Sequence, residues 1–180
     1  MRKAIIFIVL WIACLTVFAQ DTTYRKLPDA RVDYPLWIIN NAIITSSTSN
    51  SNSKWLDVNK IQNLMVYKDK DTPARIKNLG INGVISITTK QVIVTKTFAE
   101  IKDWLNIKGK VQYAVDGFFV DDTSLLIATC AIKEINVIPV TDKPDETIIN
   151  IWTLLPKERK GFPAYFKSEH LILPGTVYIR

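Results

Sequence analysis

Ile81-Asn82-Gly83-Val84-Ile85-Ser86-Ile87-Thr88-Thr89-Lys90 is the stretch on which the fold turns. Asn82-Gly83 is a turn signal, and Val84 to Thr89 behind it reads as a strand. Upstream, Thr72-Pro73 offers an N-cap followed by proline at the first helical position. A helix is therefore expected to run to Leu79, with Gly80 placed to end it. Lys68-Asp69-Lys70-Asp71 is a charged turn, and Leu64 to Tyr67 is a strand by composition. Asp57 is the expected N-cap of a short helix to Asn63. Thr45 to Ser53 is a Ser/Thr/Asn tract with nothing to bury, so it reads as a loop. Before it, Leu36 to Ile39 and Ala42 to Ile44 read as two strands joined by Asn40-Asn41, residues that tolerate positive φ.

Downstream, Val92-Ile93-Val94 is expected to continue the sheet. Thr97-Phe98-Ala99-Glu100 is a capping box. Phe98, Ile101, Trp104 and Leu105 then share one helical face, and burial in the core is their expected fate. Gly109 closes this helix. Gln112 to Val115, the turn signal Asp116-Gly117 and Phe118 to Val120 form a second expected hairpin. Leu125 to Ile132 reads as helix with Cys130 as a small buried hydrophobe. Ile135 to Val140 reads as strand, Asp142 to Glu146 as polar turn and Ile148 to Leu154 as strand. Lys157 to Gly161 is a charged turn, and Pro174-Gly175 precedes a last strand, Thr176 to Ile179.

Two halves of the chain align in order. Trp37 to Ile44 matches Tyr113 to Val120, Ile61 to Val66 matches Ile132 to Val137, and Val84 to Ile87 matches Ile148 to Ile151. Two copies are too few for a solenoid. They suggest a duplicated unit of hairpin, helix, strand and strand. The expected fold class is α+β: mixed β-sheets with short helices, in two similar βαβ-type units.

The first copy resembles the plug domain of TonB-dependent receptors. Pro35-Leu36-Trp37-Ile38-Ile39-Asn40-Asn41 is similar to that family's "P-L-Y-V-I-D-G" strand. Ile61-Gln62-Asn63-Leu64-Met65-Val66-Tyr67-Lys68-Asp69 is similar to "I-E-S-I-E-V-L-K-D", and Ile81 to Lys90 to "A-N-G-V-I-x-I-T-T-K". The family-like positions are Asn40, Asn41, Lys68, Asp69, Gly80, Asn82, Gly83, Thr88 and Thr89. Asp116 and Gly117 restore the usual Asp-Gly step in the second copy. The resemblance implies a plug-like fold without a barrel. A barrel of about 22 strands needs roughly 220 residues in strand alone. No clear TonB box precedes the first strand.

The N-terminus reads as a secretory signal: Arg2 and Lys3, an apolar run from Ala4 to Phe18, and small residues before a cleavage site after Ala19. The run is short for a spanning helix. Cys14 follows Ala13, but Trp11 stands where a lipobox has leucine. Removal of the first 19 of the 180 residues leaves 161, and lowers the formal charge from +6 to +4. One cysteine, Cys130, then remains, so no internal disulfide is expected. The organisation expected is a signal peptide over 1–19, an extended lead-in over 20–34, a plug-like unit over 35–96, a linking helix over 97–110, and a second plug-like unit over 111–180. The place expected is the periplasm or the periplasmic face of the outer membrane.

Chemistry is sparse. The lone histidine, His170, stands beside Glu169, short of the ligand set a zinc site needs. No G-x-S-x-G, Walker or dinucleotide motif occurs. Asp121-Asp122 and Asp69/Asp71 are acidic pairs on turns. Trp37, Trp55, Trp104, Trp152 and Tyr113 are candidates for a groove. Lys and Arg are scattered singly, against nucleic-acid binding. No catalytic residue, cofactor or metal is expected, and membrane contact only through the signal or a lipid anchor. Two readings stay open: a non-enzymatic interaction module docking on an envelope protein, and a small periplasmic ligand-binding protein.

Overall fold

The computed structural model describes residues 25–27, 34–45, 56–140, 143–159 and 176–178. The segment expected to be a signal, with Cys14, the polar tract after Thr45, Trp55, Glu169-His170 and Pro174-Gly175 lie outside them. Among the described residues, strands β1 (Leu36–Ile39), β2 (Ala42–Thr45), β3 (Ile61–Tyr67), β4 (Val84–Thr89), β5 (Thr95–Thr97), β6 (Lys110–Val115), β7 (Phe118–Phe119), β8 (Leu126–Ala128), β9 (Glu134–Val140), β10 (Lys143–Trp152) and β11 (Thr176–Tyr178) accompany one α-helix, α1 (Phe98–Trp104). The fold is an α+β mix built on two mixed sheets.

The first sheet has the order β3-β4-β1-β2-β8-β5 and the second β11-β9-β10-β6-β7. Within each, four strands repeat one arrangement. A hairpin (β1–β2, β6–β7) has its first strand parallel to a later strand (β4, β10), which is antiparallel to the strand before it (β3, β9). The registers coincide as well. Leu36↔Val84 and Trp37↔Ile85 in one sheet stand where Gln112↔Ile148 and Tyr113↔Ile149 stand in the other. Leu64↔Ile87 stands where Ile135↔Ile151 stands.

Strand alternation gives the first sheet two apolar faces. Leu36, Ile38 and Val84 enter the main core with Phe98 and Ile101 of α1 and with Val115, Phe118, Ile135, Ile149 and Ile151 of the second sheet. Ile39, Ile44 and Ile87 face the other way, into a smaller cluster with Ala128 and Ala131. The capping box forms as expected: the Glu100 N–H donates to Thr97 Oγ1 at 3.1 Å, and the Thr97 N–H donates to Glu100 Oε2 at 2.7 Å.

Several expectations give way. Leu125 to Ile132 is not a helix: Leu126–Ala128 is β8, slotted parallel to β2 and antiparallel to β5, and a 3-10 turn, Thr129–Ala131, follows. A continuous apolar run suits either structure, and the vacant slot beside β2 decides it. Asp57 does cap, accepting from the Asn59 N–H at 3.0 Å, but the turn is a single 3-10 turn and β3 begins at Ile61. The segment after Pro73 is likewise only 3-10, Ala74–Ile76, and no side chain caps it. Val92 to Val94 makes no strand, and Thr95–Thr97 does. Asp142 lies outside the described residues, and Lys143 to Glu146 already belong to β10, which carries a register shift before Thr147. Trp104 is 55% exposed because Phe98, Ile101 and Leu105 hold the centre of the buried face and leave Trp104 at its margin. The left-handed residue behind α1 is Asn106, and Gly109 lies further on, against Asp145. Cys130 is exposed, on the 3-10 turn after β8.

Candidate functional site

Both hairpin turns have two residues at positive φ: 49° and 66° at Asn40 and Asn41, 50° and 82° at Asp116 and Gly117. That is the requirement of a type I′ turn, and Asn, Asp and Gly tolerate it best. Each turn is then tied to the parallel strand by the same two bonds. The Asn40 N–H donates to Ile87 O at 3.0 Å, and the Thr89 N–H to Asn40 Oδ1 at 2.9 Å. The Asp116 N–H donates to Ile151 O at 2.9 Å, and the Thr153 N–H to Asp116 Oδ1 at 2.6 Å. Asp116 is fully buried and also accepts from the Thr153 hydroxyl at 2.6 Å and the Leu154 N–H at 3.2 Å. These residues are therefore fold-forming.

The remaining motif residues are placed around β4. Gly83, at φ 90°, bends the chain into the strand, and a Cβ there would lie 3.2 Å from Tyr67 O. Gly80 serves close approach, since a Cβ on it would meet Val84 Cγ2 at 2.5 Å. Asn82 and Thr88 are exposed, Thr89 is buried, and Lys68 and Asp69 follow β3.

The acidic pairs and aromatics do not converge. Asp121 pairs with Arg25 at 3.4 Å. The Ser124 N–H donates to Asp122 Oδ1 at 2.9 Å, and side-chain and backbone bonds from Ser124 hold the Asp122 carboxyl below its usual range. Among the described residues no group of three His, Cys, Asp or Glu side chains is gathered to hold a metal ion. No described helix is long and apolar enough to cross a membrane. Trp37 packs on the smaller cluster, Tyr113 lies 5.1 Å from the Phe98 ring, and burial pushes its phenol up, with Asp103 adding to the effect.

Trp152 belongs to a buried cluster with no counterpart in the sequence reading. Arg159 meets Glu134 at 2.6 Å, and its guanidinium lies 4.2 Å from the Trp152 ring. The Asn136 side chain donates to Glu134 at 2.8 Å and accepts from Trp152 Nε1 at 2.5 Å. The Trp152–Asn136 and Arg159–Glu134 bonds join residues 16 and 25 positions apart, and no local pattern announces them.

The surface feature of the fold is β3. It is the terminal strand of the first sheet, paired to β4 on one side. Leu64, Met65 and Val66 at its centre are 54%, 45% and 56% exposed. Leu64 and Val66 stand opposite Ile87 and Ile85 and share their face with the half-buried Trp37. Met65 is on the other face beside Tyr67, whose hydroxyl donates to Met65 Sδ at 3.2 Å. Covering the apolar surface left open would contribute on the order of 1 kcal/mol per side chain. The other edges are handled differently. β5 is short and leads directly into α1. β9, which stands in its sheet as β3 does in the first, carries β11, with Val177 opposite Ile135. At β7 the Leu27 N–H donates to Gly117 O at 2.7 Å and the Phe119 N–H to Arg25 O at 3.1 Å, so Arg25–Leu27 runs along that edge. Asn78, from the first half, holds this strap through Arg25 N, Arg25 O and Phe119 O at 2.8, 2.8 and 2.6 Å.

In the comparisons with known proteins, the chain matches no protein-family model, no curated protein and no solved structure.

Proposed function

We propose that this chain is a non-enzymatic, exported envelope protein. In this reading it is two copies of one plug-like unit, docking on an outer-membrane or periplasmic partner through the edge of β3. The single observation that carries docking is a terminal strand with three consecutive half-exposed apolar residues, Leu64, Met65 and Val66. Monomeric proteins blunt or cover such edges, and an open one is a template for a partner strand. The duplicated-unit reading is supported by the equal strand order and equal register of β3-β4-β1-β2 and β9-β10-β6-β7. The export reading rests on the signal-like N-terminus.

The test compares the wild-type chain with a Leu64→Lys/Val66→Lys variant in pull-downs from envelope extract. Both positions are more than half exposed, so lysine is tolerated in the fold, checked by far-UV circular dichroism. One envelope partner should be recovered by the wild type and lost by the variant. Retention of that partner by the variant refutes the reading. So does recovery of no protein together with a small molecule seen by native mass spectrometry.

A further inference from the structure

We propose that the β3 edge takes an antiparallel, extended segment of another polypeptide with an apolar centre and carboxylates at both ends, in preference to a second copy of β3. The proposal rests on the docking reading above and specifies the partner's chemistry.

The molecule supplies its own precedent for the geometry. β11 runs antiparallel along β9, with Thr176, Val177 and Tyr178 opposite Asn136, Ile135 and Glu134. Ile135 pairs with Ile151 as Leu64 pairs with Ile87, so the equivalent seat on β3 is Asn63 to Met65. That seat is open. Its apolar residues lie on both faces, Leu64 and Val66 on one and Met65 on the other. A guest strand therefore gains from apolar residues at successive positions, where a half-exposed sheet usually favours alternation.

Charge selects among the guests. Lys60 directly precedes β3 and Lys68 directly follows it, both exposed. The N–H of Lys90, itself exposed, donates to Lys60 O at 3.1 Å, which sets a second lysine at that end. Carboxylates stand at both ends as well: Asp57 lies 3.6 Å from Lys60, and Asp69 and Asp71 follow Lys68 in the chain. A second copy paired about a two-fold axis keeps each face continuous only when residues of the same face lie opposite one another. Laying Leu64 against Leu64 brings the Lys60 end of each copy, beyond the bulge between Ile61 and Asn63, towards the Lys68 end of the other, and the symmetry repeats the clash. Sliding by two residues, to set Leu64 against Val66, moves the Lys60 end towards Lys70. Like charges directly opposite destabilise a strand pair, and edge lysines guard natural sheets against self-pairing. A guest with carboxylates at its ends turns the same two lysines into attraction.

The test uses the full chain purified after export and two labelled peptides. Each carries Gly-Thr-Val-Tyr-Ile, the sequence of residues 175–179, between two aspartates or two lysines on either side. Fluorescence anisotropy should give the aspartate peptide about tenfold tighter binding at low salt, a difference that shrinks as salt is added. Hydrogen exchange should slow at residues 61–67, and a Lys60→Glu/Lys68→Glu variant should prefer the lysine peptide. Equal affinity for the two peptides, slowed exchange at β9 in place of β3, or a wild-type dimer already protected at β3 overturns the proposal. Loss of the envelope partner in Leu64→Lys/Val66→Lys with no discrimination between peptides sinks this inference and leaves docking standing. Discrimination at β3 with no envelope partner recovered does the reverse.

Discussion

Asp116→Ala should be among the most damaging single substitutions in the chain, and much worse than its counterpart Asn40→Ala. The Asp116 carboxylate is fully buried and accepts three bonds, from Thr153 N, Thr153 Oγ1 and Leu154 N. Alanine leaves those buried donors without their acceptor, at roughly 1–3 kcal/mol for each group that water cannot reach. It also places a Cβ without a local bonding group at φ 50°, about 1 kcal/mol more. The terms overlap, so a total of about 4 kcal/mol is expected. Asn40 holds the same place in the first hairpin, but it is exposed, and water can replace part of what its side chain gives Thr89. There the loss should be about 1–2 kcal/mol. Thermal unfolding followed by circular dichroism reads the contrast directly. At roughly 2–4 °C per kcal/mol for a chain of this size, Asp116→Ala should lower Tm by about 10 °C and Asn40→Ala by about 4 °C. Asp116→Asn keeps an acceptor and the tolerance of positive φ, and should fall between them. An Asp116→Ala shift no larger than that of Asn40→Ala would refute the claim that burial makes the second hairpin the tighter one.

Arg159→Ala strips the cationic partner from Glu134, whose side chain is only 7% exposed and keeps, among the described residues, only the Asn136 amide, and should destabilise by about 3–5 kcal/mol in urea unfolding. The same variant should change the Trp152 emission, since the guanidinium stacks on that ring; unchanged emission and midpoint together would show the cluster to be idle. Glu100 is held below its usual value of 4.5 by the Thr97 backbone bond first and the Thr97 side-chain bond second. A depressed folded-state pKa means stability present above the unfolded pKa and lost as pH falls through the folded one. The difference in urea midpoint between wild type and Glu100→Gln should therefore be present at neutral pH and close below that folded value. A difference that stays constant into acid would remove the capping box from the stability of α1.

What the sequence makes legible is local. Asn40-Asn41, Asp116-Gly117 and Thr97 to Glu100 carry their geometry in two to four adjacent residues, and all three form as read. Val84–Thr89 is equally local, because Gly83 fixes where it starts. The misreadings depend on neighbours far along the chain. Leu126–Ala128 is a strand because β2 and β5 flank it, and Trp104 is exposed because the core takes Phe98, Ile101 and Leu105 from that helix face. The candidate site falls in this second class. Leu64-Met65-Val66 reads as an apolar strand, which suggests burial; only the sheet order places it at an edge. Asp116 with Thr153 and Arg159 with Glu134 join residues 37 and 25 positions apart, beyond any periodicity.

The two halves are not independent folding units, and this bears on how the β3 edge can work. β8 comes after β7 in the chain yet lies in the first sheet, beside β2. Leu36, Ile38 and Val84 share one buried cluster with Val115, Phe118, Ile149 and Ile151. Cutting the chain between the halves would expose that cluster and remove β8, so the residues that present β3 need the second sheet to stay folded. β3 itself contributes little to the core: its central five residues, Gln62 to Val66, are all exposed. Among the described residues, a strand added there would lengthen the sheet outward from β4 and meet the outer backbone of β3 and the exposed side chains of Gln62 to Val66. On the proposed docking the core has no reason to repack, so rigid-body recognition is the expectation, with backbone shifts at the interface of about 1 Å or less.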